Sequence, residues 1–223
     1  MLFLLSPAKS LNFESPVPAS VLKKATEPLF TAQAAQLIKL LKKKSSRELA
    51  ALMDLSPALA SLNVERYAAW SAQALTPASK PALLAFDGDV YSGLAATSLG
   101  PADLNWAQKH LVILSGLYGV LRPLDRIQPH RLEMGTALET AAGKNLYDHW
   151  GDQLAEHLNQ RLAVERAPTV VNLASVEYAR AALRPGLQAR VIDCRFEVWK
   201  DGQYKVISFF ANRAARPGCW HAR

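Results

Sequence analysis

The sequence predicts an α/β domain, a mixed β-sheet flanked by helices. Three observations carry this reading. Short apolar runs of strand length interleave with longer segments whose apolar residues recur at helical spacing, the alternation that builds sheets covered by helices. With 223 residues, half of them hydrophobic, the chain can bury a sizeable core within one domain. Near its end, two alternating segments (188–199 and 203–210) flank Asp201-Gly202, a hairpin signal that makes the sheet mixed rather than purely parallel.

The elements follow in order. Residues 1–5, MLFLL, are a short buried strand ending at the Ser6-Pro7 turn. Leu29, Ala32, Gln36, Leu37, Leu40 and Leu41 approximate one face of a helix over 28–43, whose lysines at 42–44 suit the negative end of the helix dipole. Ser45 and Glu48 have capping-box spacing and open a second, short helix. Ser56 followed by Pro57 opens a third, running to about Ala74. Residues 82–86 and 111–114 are apolar runs of strand length, with a Pro101-led helix between them. Leu146, Trp150, Leu154, His157, Leu158 and Leu162 give 145–162 helical spacing. Residues 169–173 are another strand, and Ser175 caps the helix after it.

Lys and Arg outnumber Asp and Glu by 26 to 19, a net charge of +7. This favours an anionic partner, either nucleic acid or an acidic small molecule. Cys194 and Cys219 supply neither a disulfide framework nor a zinc set. Cys194 shares strand parity with Ile192, Phe196 and Val198, the position of a buried structural cysteine. MLFLL has no basic n-region and no stretch reaches membrane-spanning length, so a cytoplasmic protein without membrane contact is expected.

Enzymatic templates fail. Gly88 to Gly93 has the glycine spacing of a phosphate loop, but Leu94-Ala95 replaces the Lys-Ser/Thr it needs. Ser115 is not in a nucleophile elbow. Histidines 110, 130, 149, 157 and 221 lack metal-ligand spacing, and His149 and His157 are set to pack along a helix. No metal, cofactor or obligate protein partner is expected, and no catalytic residue is assigned.

The densest segment is 114–135, LSGLYGVLRPLDRIQPHRLEMG, with three glycines, two prolines and three arginines directly after an apolar strand. A turn-rich segment leaving a buried strand is where binding residues tend to sit. Gly116 and Gly119 allow backbone conformations closed to other residues. Lys9 follows the first strand, Arg122 follows the glycine turn and Arg131 sits in HRLEMG. If the strand ends share one side of a sheet, these three cations converge in a crevice. Asp89, Asp125 and Glu133 could orient the arginines, bind a cation or act as acid/base groups; plain ion pairing is the alternative. Asn172 and Ser175 end a strand, where capping is the first explanation and a crevice role the second. The lysine cluster at 39–44 could touch a DNA backbone or be a solvated helix end.

SGLYGVLRPLD (115–125) and QPHRLEMG (128–135) together resemble the signature of the YaaA family, the bacterial peroxide-stress resistance proteins. SPAKSLNF (6–13), FDGDVYSGL (86–94), NLYDHWGD (145–152) and NLASVEY (172–178) match the same family in the same order. The likeness runs from Met1 to about Arg213, which gives one YaaA-like domain over 1–213. It implies a cytosolic protein induced by hydrogen peroxide that limits damage from intracellular iron. It further implies a fold with a helix-hairpin-helix element that binds DNA through a positively charged cleft. The expected partner is double-stranded DNA or another nucleic acid, bound with little sequence preference. Lys9, Gly116, Gly119, Arg122 and Arg131 would meet the anion, with Ser6, Asp89, Asp125, Glu133, Asn172 and Ser175 as supporting polar groups. The helix-hairpin-helix falls on 114–121, or that run is a phosphate-facing glycine turn without the full motif. The alternative function is an enzyme acting on an anionic or nucleotide-like small molecule in the same cleft. Members continue past the final hairpin with a basic helical segment, whereas AARPGCWHAR (214–223) departs from that pattern, as a truncated or frame-shifted tail would.

Overall fold

The computed structural model describes residues 1–73 and 75–194, with the backbone of 197–200 and 203–206. Strands β1 (Leu2–Leu5) and β2 (Ser10–Leu11) precede helices α1 (Ala19–Leu22), α2 (Thr31–Leu41), α3 (Ser46–Met53) and α4 (Pro57–Ala69). Next come β3 (Lys80–Pro81), α5 (Ala82–Ala85), β4 (Phe86–Asp87), α6 (Asp89–Leu94) and α7 (Pro101–His110). β5 (Leu111–Ser115) and β6 (Gly119–Leu121) form a hairpin, followed by β7 (Arg126–Ile127), α8 (Leu146–Trp150) and α9 (Gln153–Leu162). β8 (Thr169–Asn172), α10 (Val176–Ala182), β9 (Arg190–Asp193), β10 (Glu197–Lys200) and β11 (Gln203–Val206) complete the described chain.

The principal sheet has the order β6-β5-β1-β8-β9. Four of its strands are parallel, with Phe3 level with Leu111 on one side and Val171 on the other. The expected mixed sheet is present, but its antiparallel member is β6, paired to β5. The terminal hairpin forms a separate two-stranded sheet in which Lys200 opposes Gln203 across a two-residue connection. The expected strand over 188–199 is divided: residues 190–193 join the main sheet beside β8, and 197–200 enter the hairpin. Residues 207–210 and 214–223 lie outside the described residues.

One continuous apolar cluster joins β1, β5, β6 and β8 to α2, α4, α8 and α9. Leu37, Ile38 and Leu41 of α2 and Leu154, Leu158 and Leu162 of α9 are all buried in it. Each such side chain contributes about 1.5–3 kcal/mol of transfer free energy relative to exposure. Trp150 is fully buried, and its indole N–H donates to the Gly116 carbonyl at 3.0 Å.

Several local expectations hold and others are corrected. The capping box at Ser45 forms, and Ser56 accepts from the Leu59 amide at the start of α4. That helix stops at Ala69, because Trp70 turns extended and sends its indole N–H to the Tyr118 hydroxyl at 2.9 Å. Ala74 lies outside the described residues. The run at 82–86 is a helical turn rather than a strand: Ala and Leu favour helix, and a short buried run has no periodicity to decide it. The helix over 145–162 is two helices, broken at Gly151 with φ +48°. His149 and His157 pack as expected, edge-on to Trp150 and Phe30.

Residues 111–121 are buried throughout and form strand, tight turn and strand, so no helix-hairpin-helix occurs there. Gly116-Leu117-Tyr118 is a three-residue loop, and Gly119 takes the left-handed conformation, φ +65°, that commonly closes such hairpins. A Cβ on Gly119 would stand 2.8 Å from both Leu154 Cδ2 and Trp150 Cζ3. Gly119→Val therefore combines backbone strain with overpacking, each about 1–3 kcal/mol. Chemical denaturation should show a loss of about 3 kcal/mol, and unchanged stability would contradict the buried turn.

Candidate functional site

β1 and β8 are neighbours, yet the chain leaving β1 next enters this sheet at β5, on one side, while the chain leaving β8 goes to β9 on the other. Where successive connections part like this, the loops beyond the carboxyl ends leave a crevice, the usual ligand position in open α/β sheets. Here it measures about 1000 Å³. Its walls come from the loop after β1 (6–10), from β4 and α6 (86–91), from 130–133, from 172–178 after β8, and from Asp193 and Cys194.

The wall contacts are specific. The Ser6 hydroxyl accepts the Ser175 amide at 2.9 Å, tying the loop after β1 to the loop after β8. Ser175 stands at the N-cap of α10 but makes no side-chain cap bond there; its hydroxyl meets Ser6 instead, at 3.3 Å. Asn172 donates to Asp193 at 2.8 Å and accepts from the Ala174 amide. Lys9 pairs with Glu133 at 3.2 Å, and Arg131 holds the other Glu133 oxygen through Nε and Nη2, at 3.2 and 2.8 Å. Asp89 lines the same space.

Lys9, Arg131, Ser6, Asp89, Glu133, Asn172 and Ser175 thus come together. Four other expected site residues do not. Arg122 pairs with Asp125, 2.9 Å away; Asp125 is buried and also accepts from Thr26 and from the Arg122 amide. Gly116 and Gly119 are enclosed, and a Cβ on Gly116 would run into the Leu132 carbonyl. The glycines hold the hairpin, and Arg122 and Asp125 brace the chain after it. Cys194 is half-buried rather than buried, and burial with the adjacent Asp193 raises its thiol above the ordinary range.

The sequence did not single out His130, which is 6% exposed and lines the crevice. Its Nδ1 lies 2.8 Å from the Gln128 carbonyl. A carbonyl only accepts, so Nδ1 carries the proton and Nε2 keeps its lone pair. Burial pushes this imidazole down to about 4. The crevice is also not simply basic: Asp87, Asp89, Glu133, Glu177 and Asp193 face only Lys9 and Arg131 among its charged lining residues. Among the described residues no cluster of three or more metal-ligating side chains occurs, and no helix is long and apolar enough to cross a membrane.

A compact helix pair lies beside the crevice. α3 and α4 are joined by Asp54-Leu55-Ser56, with Asp54 left-handed at φ 51°. The Tyr67 hydroxyl of α4 donates to the Arg131 carbonyl.

The family model for peroxide stress protein YaaA matches residues 1–216. The chain belongs to this family. A UPF0246 protein of Leptothrix cholodnii is 60% identical over 214 residues, covering 96% of this chain and 82% of its own length. UPF0246 proteins of Verminephrobacter eiseniae and Paracidovorax citrulli are 59% and 58% identical with the same coverage. The YaaA resemblance of the motifs is therefore a family relationship over the whole described fold.

Removing the Asp125 carboxylate leaves buried donors without an acceptor. Asp125→Ala should cost about 3 kcal/mol in denaturant unfolding; a neutral result would contradict the bracing role. His130 and His157 both titrate near 4 when folded, against about 6.5 in the unfolded chain. Between those values the unfolded chain binds more protons, so stability falls as the pH drops from about 6.5 towards 4. Each histidine contributes a slope of up to about 1.4 kcal/mol per pH unit. His130→Asn should flatten this dependence in pH-resolved melting, whereas an unaltered slope would place the titration elsewhere.

Proposed function

We propose that this chain binds double-stranded DNA through backbone phosphates with little base preference, and in this way limits iron-dependent peroxide damage in the cytoplasm. Membership of a peroxide stress family supports the stress role. The observation that carries the DNA reading is a connected path of cations. Lys42 of the lysine cluster reaches the Ala68 and Trp70 carbonyls at 3.2 Å, at the end of α4. Arg66 lies in the last turn of α4, where burial and the nearby Arg131 hold its guanidinium below the ordinary value. Tyr67 links that turn to Arg131, and Arg131 leads through Glu133 to the exposed Lys9. Among the described residues, with the seven charged crevice residues set aside, 18 Lys and Arg remain against 12 Asp and Glu. Most of the attraction for a polyanion thus arises outside the crevice, and the α3–α4 pair takes the part of the helix-hairpin-helix. An enzyme acting on a nucleotide-like small molecule is the second reading, favoured by the neutral His130 that shares the crevice lining with Glu133.

Duplex binding followed by fluorescence anisotropy should weaken linearly in log affinity against log salt, equally for unrelated sequences. Arg66→Ala should reduce that slope by about one unit. Binding confined to one short sequence, or indifferent to salt, would refute the phosphate reading.

A further inference from the structure

We propose that the crevice at the β1–β8 divide receives a nucleobase bearing N–H donors, held by the acceptors on its walls while the phosphates stay on the cationic path outside. This rests on the DNA reading and assigns the interior of the same site.

Charge excludes a phosphate from the interior. Five lining carboxylates face two cations, and both cations are already engaged by Glu133. An entering phosphate would meet a net negative wall, whereas a neutral ring with N–H groups meets a surplus of acceptors. Nε2 of His130, a side chain nine-tenths buried, and the carboxylates of Asp87 and Asp89 have no hydrogen-bond partner among the described residues. The His130 tautomer is fixed by the Gln128 carbonyl, so Nε2 can only accept from a neutral imidazole. Burial disfavours its protonation, which keeps that lone pair available at neutral pH.

Shape agrees with this chemistry. The crevice is large enough for a nucleoside, and Tyr91 and Tyr178 supply aromatic wall. The Tyr91 hydroxyl is anchored on the Ser6 carbonyl at 2.8 Å, so its ring is held in place. Aromatic stacking with hydrogen bonds to a base edge is how proteins hold a base outside the helical stack. Lys9, the exposed one of the two cations, then stands where the sugar-phosphate leaves the crevice for the outer path. A carboxylate accepts two adjacent N–H groups from guanine, while thymine flanks its single imino N–H with two carbonyls that carboxylates repel.

Titration calorimetry of the full chain with guanosine, thymidine and inorganic phosphate tests the assignment. Guanosine should bind with little change between 50 and 200 mM salt, thymidine at least about tenfold more weakly, and inorganic phosphate should not displace guanosine. Asp89→Asn, a half-buried position, should weaken guanosine about tenfold at unchanged melting temperature. His130→Phe, which retains the ring, should weaken it as well. No guanosine binding at 10 mM, or displacement by phosphate, overturns the base assignment even if the duplex still binds. Guanosine binding without duplex binding would uphold the crevice and remove the DNA reading.

Discussion

Leu2–Leu5 is hydrogen-bonded along both edges, to β5 on one side and β8 on the other. A strand enclosed in this way has no solvent-facing ladder, and three of its four residues are buried. Parallel pairing on both sides aligns the carboxyl ends of β5, β1 and β8, and the connections leaving β1 and β8 run to opposite sides. The crevice is the geometric result. Ser6, the first residue past β1, takes the Ser175 amide and so sets the separation of the two loops that frame it. Register, crevice and bridging serine follow from one strand being central.

The charge distribution follows from that frame. Glu133 lies where it can take Lys9 on one oxygen and Arg131 on the other, so two of the cations in the motifs are ion-paired at the crevice. A third, Arg122, is held by Asp125. Among the described residues the net positive charge therefore lies outside the crevice, in part at the helix end at 42–44. On the proposed reading a polyanion meets this outer charge, while the crevice offers hydrogen-bond acceptors. Backbone contact would thus be separated from base contact, the division on which nucleic-acid recognition generally rests.

The fold class was legible because apolar runs and helical spacing report burial directly. Caps at Ser45 and Ser56 were legible because they are local. Residues 82–86 were not, since four buried residues carry no period. The break at Gly151 was hidden by helical spacing that continues on both sides of it. For the site, the first-strand loop and the Asn172–Ser175 turn were legible as strand ends, and HRLEMG as a motif rich in charged residues. Arg122 and the two glycines were misplaced because a motif shows that residues matter without showing which way they face. His130 was missed because its role depends on the Gln128 carbonyl, a backbone contact that no spacing reveals.

The glycine turn also explains why the densest motif of the sequence has so little crevice surface of its own. Its Gly116 carbonyl receives the Trp150 indole, and its Cα face lies against the Leu132 carbonyl, a packing that a side chain would prevent. Leu132 is flanked by Arg131 and Glu133, the pair that lines the crevice. Tyr67 anchors the Arg131 carbonyl, and Glu177 accepts the Gly135 amide at 2.7 Å. The loop carrying the site is thus fixed at both ends and pressed from behind by a turn that only glycine permits. The hairpin bears on the crevice through position, because a shift of the Gly116–Leu132 contact would move Glu133 and with it both cations.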